Sequence, residues 1–358
     1  MGTPEQVPTW RERLKRLPGL RPAYRALRAA GWKVKDAAND TYWRMRGALP
    51  IAPKAKGRVS EVWGESAAGL DAGVEWRTKG WLGVEDILRR YVFPQLAGKD
   101  WYHYVAARYC PQPRPLALSL CSGFGHIERD FIKHGICVSA EGVDVSPEAI
   151  EVSRRAAEAA GLSDRLSYRV HDVERAHLEP RRYDIIVAWM ALHHLRRLEH
   201  VFREVRGALK PGGIFVINEY VGPARFQIPQ RQVDLVNALL SDLPEDLRRL
   251  PEGGLKERFV RPSLREIIGH DPSEAVRSNR ILPLLRRCFP ALECIEYGGT
   301  ILNWLLVGIS QNFDADNPEH RAALERAYAA ERAALASGEF SSDFAFVVAR
   351  RRSADGIP

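Results

Sequence analysis

Two adjacent histidines, His193 and His194, follow the apolar run Tyr183 to Ala188, and Glu219 follows the apolar run Ile214 to Asn218. These residue types exchange protons near neutral pH, and at the end of a strand each is placed to act as a general base on an acceptor. A second set of residues suits a nucleoside. The segment Ser119-Leu120-Cys121-Ser122-Gly123-Phe124-Gly125 is a glycine-rich turn in which Gly123 and Gly125 allow close backbone approach. About 20 residues later comes Gly142-Val143-Asp144-Val145-Ser146, whose acid suits the two hydroxyls of a ribose. In His171-Asp172-Val173 the acid can accept from an adenine amino group. A fourth segment, Ala188-Trp189-Met190-Ala191-Leu192-His193-His194, carries the histidine pair. No metal site is expected: the histidines and acids show no H-E-x-x-H or comparable spacing, and Cys110, Cys121, Cys137, Cys288 and Cys294 form no C-x-x-C pair. Cys121 reads as a small turn residue.

The elements that must position these groups follow from the hydrophobic pattern. Strands are expected at Leu116 to Leu120, Cys137 to Asp144, Leu166 to Val170, Tyr183 to Ala188 and Ile214 to Asn218. Helices are expected between them, over about 126–134, from Pro147 to about Ala160 with Gly161 as its stop, and from Leu198 to Leu209, closed by Lys210-Pro211-Gly212-Gly213. Leu292 to Tyr297 and Asp343 to Ala349 complete a seven-stranded, doubly wound, mostly parallel α/β sheet with helices on both faces. Ligands of such sheets bind at the carboxyl ends of the strands, where strand order reverses. All four segments above fall there. The expected organisation is a basic extension (1–58), a helical region rich in Trp and Tyr (59–115), a core (116–221), a helical insert able to cover the pocket (222–290), the remainder of the domain (291–350) and a tail (351–358). Trp81 to Leu96 and Trp101 to Tyr109 read as helices in the second of these regions.

Over residues 116–220, with the final strand, the chain resembles the class I S-adenosylmethionine-dependent methyltransferases, which have a Rossmann-like sheet. The resemblance rests on Gly123, Gly125, Asp144, Asp172 and Lys210-Pro211-Gly212-Gly213. It implies S-adenosyl-L-methionine as cofactor, held by Ser119, Cys121, Gly123, Gly125, Asp144, Val145, Asp172, Val173 and Ala188. Ser119 and Cys121 depart from the family's first loop, which has an acid and a glycine there; Glu128 or a water is then left to hold the cofactor's amino group. A nicotinamide-binding domain is the poorer match, because Glu128 occupies the third glycine position of G-x-G-x-x-G. Two further strings, Glu219 to Gln227 and Asp271 to Ser278, with Tyr297-Gly298-Gly299-Thr300 and Ser342 to Phe346, are similar to bacterial methyltransferases associated with surface-polysaccharide and other glycan pathways. That similarity implies a sugar hydroxyl as acceptor. His193, His194 or Glu219 would serve as base, and Tyr220, Arg225 and Arg277 would bind the acceptor. Asp271 before Pro272 reads as a helix N-cap, and Glu274 to Arg277 equally as a helix-surface pair.

Charge separates the chain into two parts. Of the net +8, residues 1–58 carry +10 and the remaining 300 carry −2. Trp10, Leu14, Leu17, Leu20, Tyr24, Leu27 and Trp32 interleave with Arg and Lys, a pattern suited to an anionic membrane surface through residues 10–35, or to a partner protein. The same mixture of basic and aromatic residues also suits phosphates and bases, so an RNA methyltransferase steered by the basic head is the enzymatic rival, against which the near-neutral body offers little track for nucleic acid. A methyltransferase fold without catalysis, serving as a partner protein, is the other. No apolar stretch after the first basic residues reads as a signal peptide, and a cytoplasmic protein, peripheral to the inner face of the membrane, is expected.

Overall fold

The computed structural model describes residues 80–351, except Glu252, Pro290 and Ala315. All of them belong to the unit Ile51–Pro358. The basic extension, and the expectations placed on it, lie outside the described residues, as does the tail beyond 351.

The described chain opens with the short helical segments Trp81–Gly83, Glu85–Ile87, Leu88–Val92 and Phe93–Leu96, followed by α1 (Trp101–Tyr109). Residues 85–96 are thus one unbroken helical stretch, as the sequence predicts, wound α over Glu85–Ile87, π over Leu88–Val92 and 3-10 over Phe93–Leu96, where Pro94 lacks an N–H to donate. Asp100 caps α1 by accepting from the His103 N–H.

Regular alternation follows: β1 (Arg114–Leu120), α2 (His126–Lys133), β2 (Cys137–Asp144), α3 (Pro147–Ala159), β3 (Leu166–Val170), β4 (Tyr183–Trp189), α4 (Leu198–Ala208) and β5 (Leu209–Tyr220). Ser146 caps α3 and Pro147 occupies its first turn, an arrangement local sequence makes legible. The Lys210-Pro211-Gly212-Gly213 string does not close the helix as a separate loop. The helix ends at Ala208, and the string lies within β5, whose pairing with β4 shifts register between Tyr183 and Ile185.

The insert carries α5 (Gln230–Ser241), α6 (Leu264–His270) and α7 (Ile281–Cys288). The chain then returns to the sheet through β6 (Ala291–Gly298), α8 (Leu302–Leu306), α9 (Pro318–Ala336) and β7 (Phe344–Arg350). The strand order is β3-β2-β1-β4-β5-β7-β6; β7 lies antiparallel between β5 and β6, and the other pairs are parallel. The seven-stranded, doubly wound fold expected from the pattern is borne out.

Both faces of the sheet are buried. Leu118, Ile186, Phe215 and Ile217 pack with α4 and α7 on one face, while Ala117, Ile185, Val187 and Val216 pack on the other with α1 and α2. Burial on both faces is why the central strands read as apolar runs. No helix among the described residues is long and apolar enough to cross a membrane.

Candidate active site

Leu120 pairs with Val143 of β2 on one side and Ala188 of β4 on the other, so three strand ends lie together where strand order reverses. A cavity opens there. Cys121, Gly123, Asp144, Val145, Asp172 and Val173 line it from the first three strand ends; Met190, Ala191, His194 and Leu195 line it from the fourth. Cys121 (φ 50) and Met190 (φ 49) sit immediately past β1 and β4 in the left-handed region that non-glycine residues avoid. Such strain persists only where the surroundings impose it, and both residues line the cavity.

The cofactor residues separate into those that face the cavity and those behind it. Asp144 accepts from the Gly123 N–H at 3.0 Å and the Ser146 N–H at 2.9 Å, which fixes its carboxylate against the turn. Asp172 accepts from the Glu174 N–H. A Cβ at Gly123 would meet nothing within 4 Å, so this glycine backs onto open space. At Gly125 a Cβ would lie 2.6 Å from the Tyr168 hydroxyl; this glycine lets α2 pack on β3. Ser119 and Ala188 are strand residues at 2% and 0% exposure, behind the residues that line the cavity, with the Ser119 side chain against Glu128 of α2. An accessible glycine edge between two acids fits a nucleoside with a ribose.

The histidine pair is organised by Glu219. Its Oε2 accepts from the Ala191 and Leu192 N–H groups at 2.8 and 2.6 Å, and its Oε1 lies 2.7 Å from the Tyr220 N–H and 2.5 Å from His193 Nδ1. Fully buried and engaged on both oxygens, Glu219 positions the loop and does not face the cavity. Burial alone would lower the His193 pKa, but Glu219, Glu274 and Asp271 outweigh it and push it up to about 9. His193 Nε2 lies 3.5 Å from Glu274. His193 is thus an imidazolium at neutral pH, held between two carboxylates. His194 is the opposite case. Burial and then the His193 charge lower its pKa, its Nδ1 lies 3.0 Å from the Ser273 hydroxyl, and it lines the cavity as a neutral imidazole.

The expectation of no metal set meets one cluster among the described residues. His193, His194 and Glu274 bring ligand atoms within 4.8 Å of one another. Glu274 arrives from the insert, so no short spacing in sequence announces it.

The acceptor-binding expectations change. Arg225 does not face the cavity: it is fully buried and donates to the Pro272 and Glu274 carbonyls, 2.8 Å each, holding the 271–275 loop. Arg277 grips Glu199 of α4 with two bonds and the Arg196 carbonyl with a third. Tyr220 donates its hydroxyl to the Pro223 carbonyl, and its ring packs on Phe226 and Phe344. All three build the insert rather than the cavity wall. Asp271 closes α6 as its C-cap and opens no helix as an N-cap: its Oδ1 accepts from the N–H and hydroxyl of Ser273, both at 2.6 Å. Ser273, Glu174 and Met190 reach the cavity without a sequence expectation. Ser273 lies in the Asp271 to Ser278 string, the one local signal for it.

Residues 117–213 match the methyltransferase domain family. Sterol 24-C-methyltransferase of Gibberella zeae is 31% identical over 120 residues, 33% of this chain and 31% of that enzyme. The Debaryomyces hansenii sterol 24-C-methyltransferase is 26% identical over 201 residues, covering 54% and 53%. The chain thus spans about a third to a half of the length of these fungal relatives. Among solved structures, the [4+2]-cyclase SpnF gives a TM-score of 0.47 at 17% identity, covering 85% of this chain and 98% of that one. Phosphoethanolamine N-methyltransferase 2 of Haemonchus contortus, in complex with S-adenosyl-L-methionine, gives 0.44 at 17% identity, covering 78% and 61%. Residues 117–213 therefore carry a methyltransferase domain, set on the seven-stranded, doubly wound sheet whose β1/β4 switch holds the cavity.

Proposed function

We propose that this chain transfers the methyl group of S-adenosylmethionine to a hydroxyl of a small-molecule acceptor, a sugar in a glycan, glycolipid or glycosylated metabolite. The observation that carries the reading is a neutral imidazole, His194, on the wall of the cavity that Asp144 and Asp172 also line. Bound S-adenosylmethionine supplies an electrophilic sulfonium methyl, which an oxygen displaces in line.

Asp144 holds ribose hydroxyls and Asp172 the adenine amino group. The turn at Gly123 admits the nucleoside against the backbone. An alcohol, unlike a sulfonium carbon, needs help: it must lose its proton as the bond to carbon forms, and His194 takes it. Ser273, held by Asp271, orients the His194 ring. The protonated His193 is unsuited to that role and instead keeps His194 neutral. Support for a sugar comes from this choice of base, which suits a hydroxyl, and from the strings 219–227 and 271–278. A sterol alkene, suggested by the relatives' names, would also give up a proton to a base, once methylation has left a carbocation, so it is the two strings that favour the sugar.

The test is transfer of labelled methyl from S-adenosylmethionine to a panel of sugars, glycolipids, sterols and RNA. Transfer to sugar hydroxyls is expected; transfer only to sterol or RNA overturns the acceptor assignment. His194→Ala is expected to keep cofactor affinity and lose roughly a hundredfold or more in turnover. Unchanged turnover removes His194 as the base.

A further inference from the structure

Glu128, at the third position of α2, is 1% exposed, and neither of its carboxylate oxygens has a hydrogen-bond partner. A buried carboxylate without donors is costly, and native structures rarely leave one so without a ligand or partner to meet it. Burial pushes its pKa up to about 7, with the nearby Ser119 hydroxyl, Arg129 and its own N–H opposing and Asp144 reinforcing the rise. Arg129 is not its partner: that guanidinium donates to the Phe124 carbonyl. Tyr168 is turned to the Gly125 carbonyl. Glu128 therefore sits ready for a cation that the protein itself does not supply.

Its place suggests which cation. Glu128 lies three residues past Gly125, on the helix that continues the turn whose Cys121 and Gly123 line the cavity. Asp144, on the other side of that turn, is the ribose acid. S-adenosylmethionine carries two positive groups, and only the α-ammonium has N–H donors. A sulfonium gives nothing for a carboxylate to accept. We propose that Glu128, with the Ser119 hydroxyl beside it, is the counter-charge for the α-ammonium of S-adenosylmethionine. The carboxylate is thereby supplied from the helix after the turn, and β1 ends in a serine. This rests on the cofactor reading above.

Calorimetry tests it with the full chain and four ligands: S-adenosylmethionine, S-adenosylhomocysteine, a deamino analogue of S-adenosylhomocysteine, and methylthioadenosine, which lacks the whole amino-acid arm. Wild type is expected to bind the deamino analogue roughly ten- to a hundredfold more weakly than S-adenosylhomocysteine. In Glu128→Gln that difference is expected to vanish, with methylthioadenosine affinity unchanged. The exchange Ser119→Asp with Glu128→Gln is expected to restore part of it. The wild-type comparison needs no variant to fold: equal affinity for the amino and deamino ligands overturns the proposal. So does a Glu128→Gln chain that still discriminates between them. Failure of wild type to bind any of the four sinks the cofactor reading itself, a different result.

Discussion

His193 is a histidine whose charge is structural. Its pKa of about 9, against an ordinary 6.5, means that the folded state holds the proton more tightly than the unfolded chain. Its stabilisation is fully present below pH 6.5 and is lost as pH rises through about 9. Thermal melts are therefore expected to show wild type losing its advantage over His193→Gln between pH 7 and about 9.5, a difference on the order of 3 kcal/mol. A constant gap across that range would show that His193 is not held as a cation. Asp144 makes a separate prediction. With both oxygens fixed on backbone N–H groups, it presents a rigid acceptor to a ribose, and Asp144→Ala is expected to weaken S-adenosylmethionine binding roughly tenfold or more by calorimetry. The acids and glycines of the site were legible because each needs only its own strand end. What the acids at 219 and 274 do to their neighbours was not. His193 and His194 are adjacent and alike in sequence, and opposite protonation came from partners 26 and 81 positions further along the chain that folding brings into contact.

At the level of elements, the insert is held to the sheet by arginines rather than by an apolar seam alone. Arg225, at φ 55, bridges the carbonyls of Pro272 and Glu274, which carry Ser273 to the cavity. Arg225→Leu takes away the Glu274 carbonyl's donor and leaves the Pro272 carbonyl with Arg196 alone. The expected result is a loss of about 2–4 kcal/mol in denaturant unfolding. The Michaelis constant for acceptor rises more than the affinity for cofactor falls. Equal effects on both would place Arg225 in the cofactor site. Gly125 gives the complementary case in the core. At φ +70, with the Tyr168 hydroxyl 2.6 Å from where a Cβ would lie, Gly125→Ala is expected to lower the melting temperature and the cofactor affinity together, as α2 is pushed off β3. Strands and helices of the sheet were readable because cap residues and apolar runs are local, as Ser146-Pro147 shows. The arginines were misread for the same reason. A guanidinium in a loop looks like an anion site until the carbonyls it serves, some 50 positions on, are folded back beneath it.

For the whole molecule, the charge division places +10 on residues 1–58 and −2 on the rest. If the head serves an anionic surface, the full chain is expected to cosediment with vesicles containing phosphatidylserine at low salt and to be released by added salt, while a chain with the Arg and Lys of residues 10–35 changed to Gln stays in solution. Cofactor affinity should be the same in both. Cosedimentation with neutral vesicles alone would refute an electrostatic contact. The fold class was legible from the alternation of strand and helix, whereas the place of β7 was not, since apolar runs carry no record of neighbours. That place has a consequence for synthesis. β5 leaves the ribosome roughly 120 residues before the strand that pairs along its outer side, a wait of about 6–25 s at the usual pace of translation. Through that interval one side of a long apolar strand has no native partner, and β6 emerges with none either. The nascent chain thus spends its most adhesive moment late, and a chaperone that binds extended apolar segments would find its best target between the fifth strand and the last.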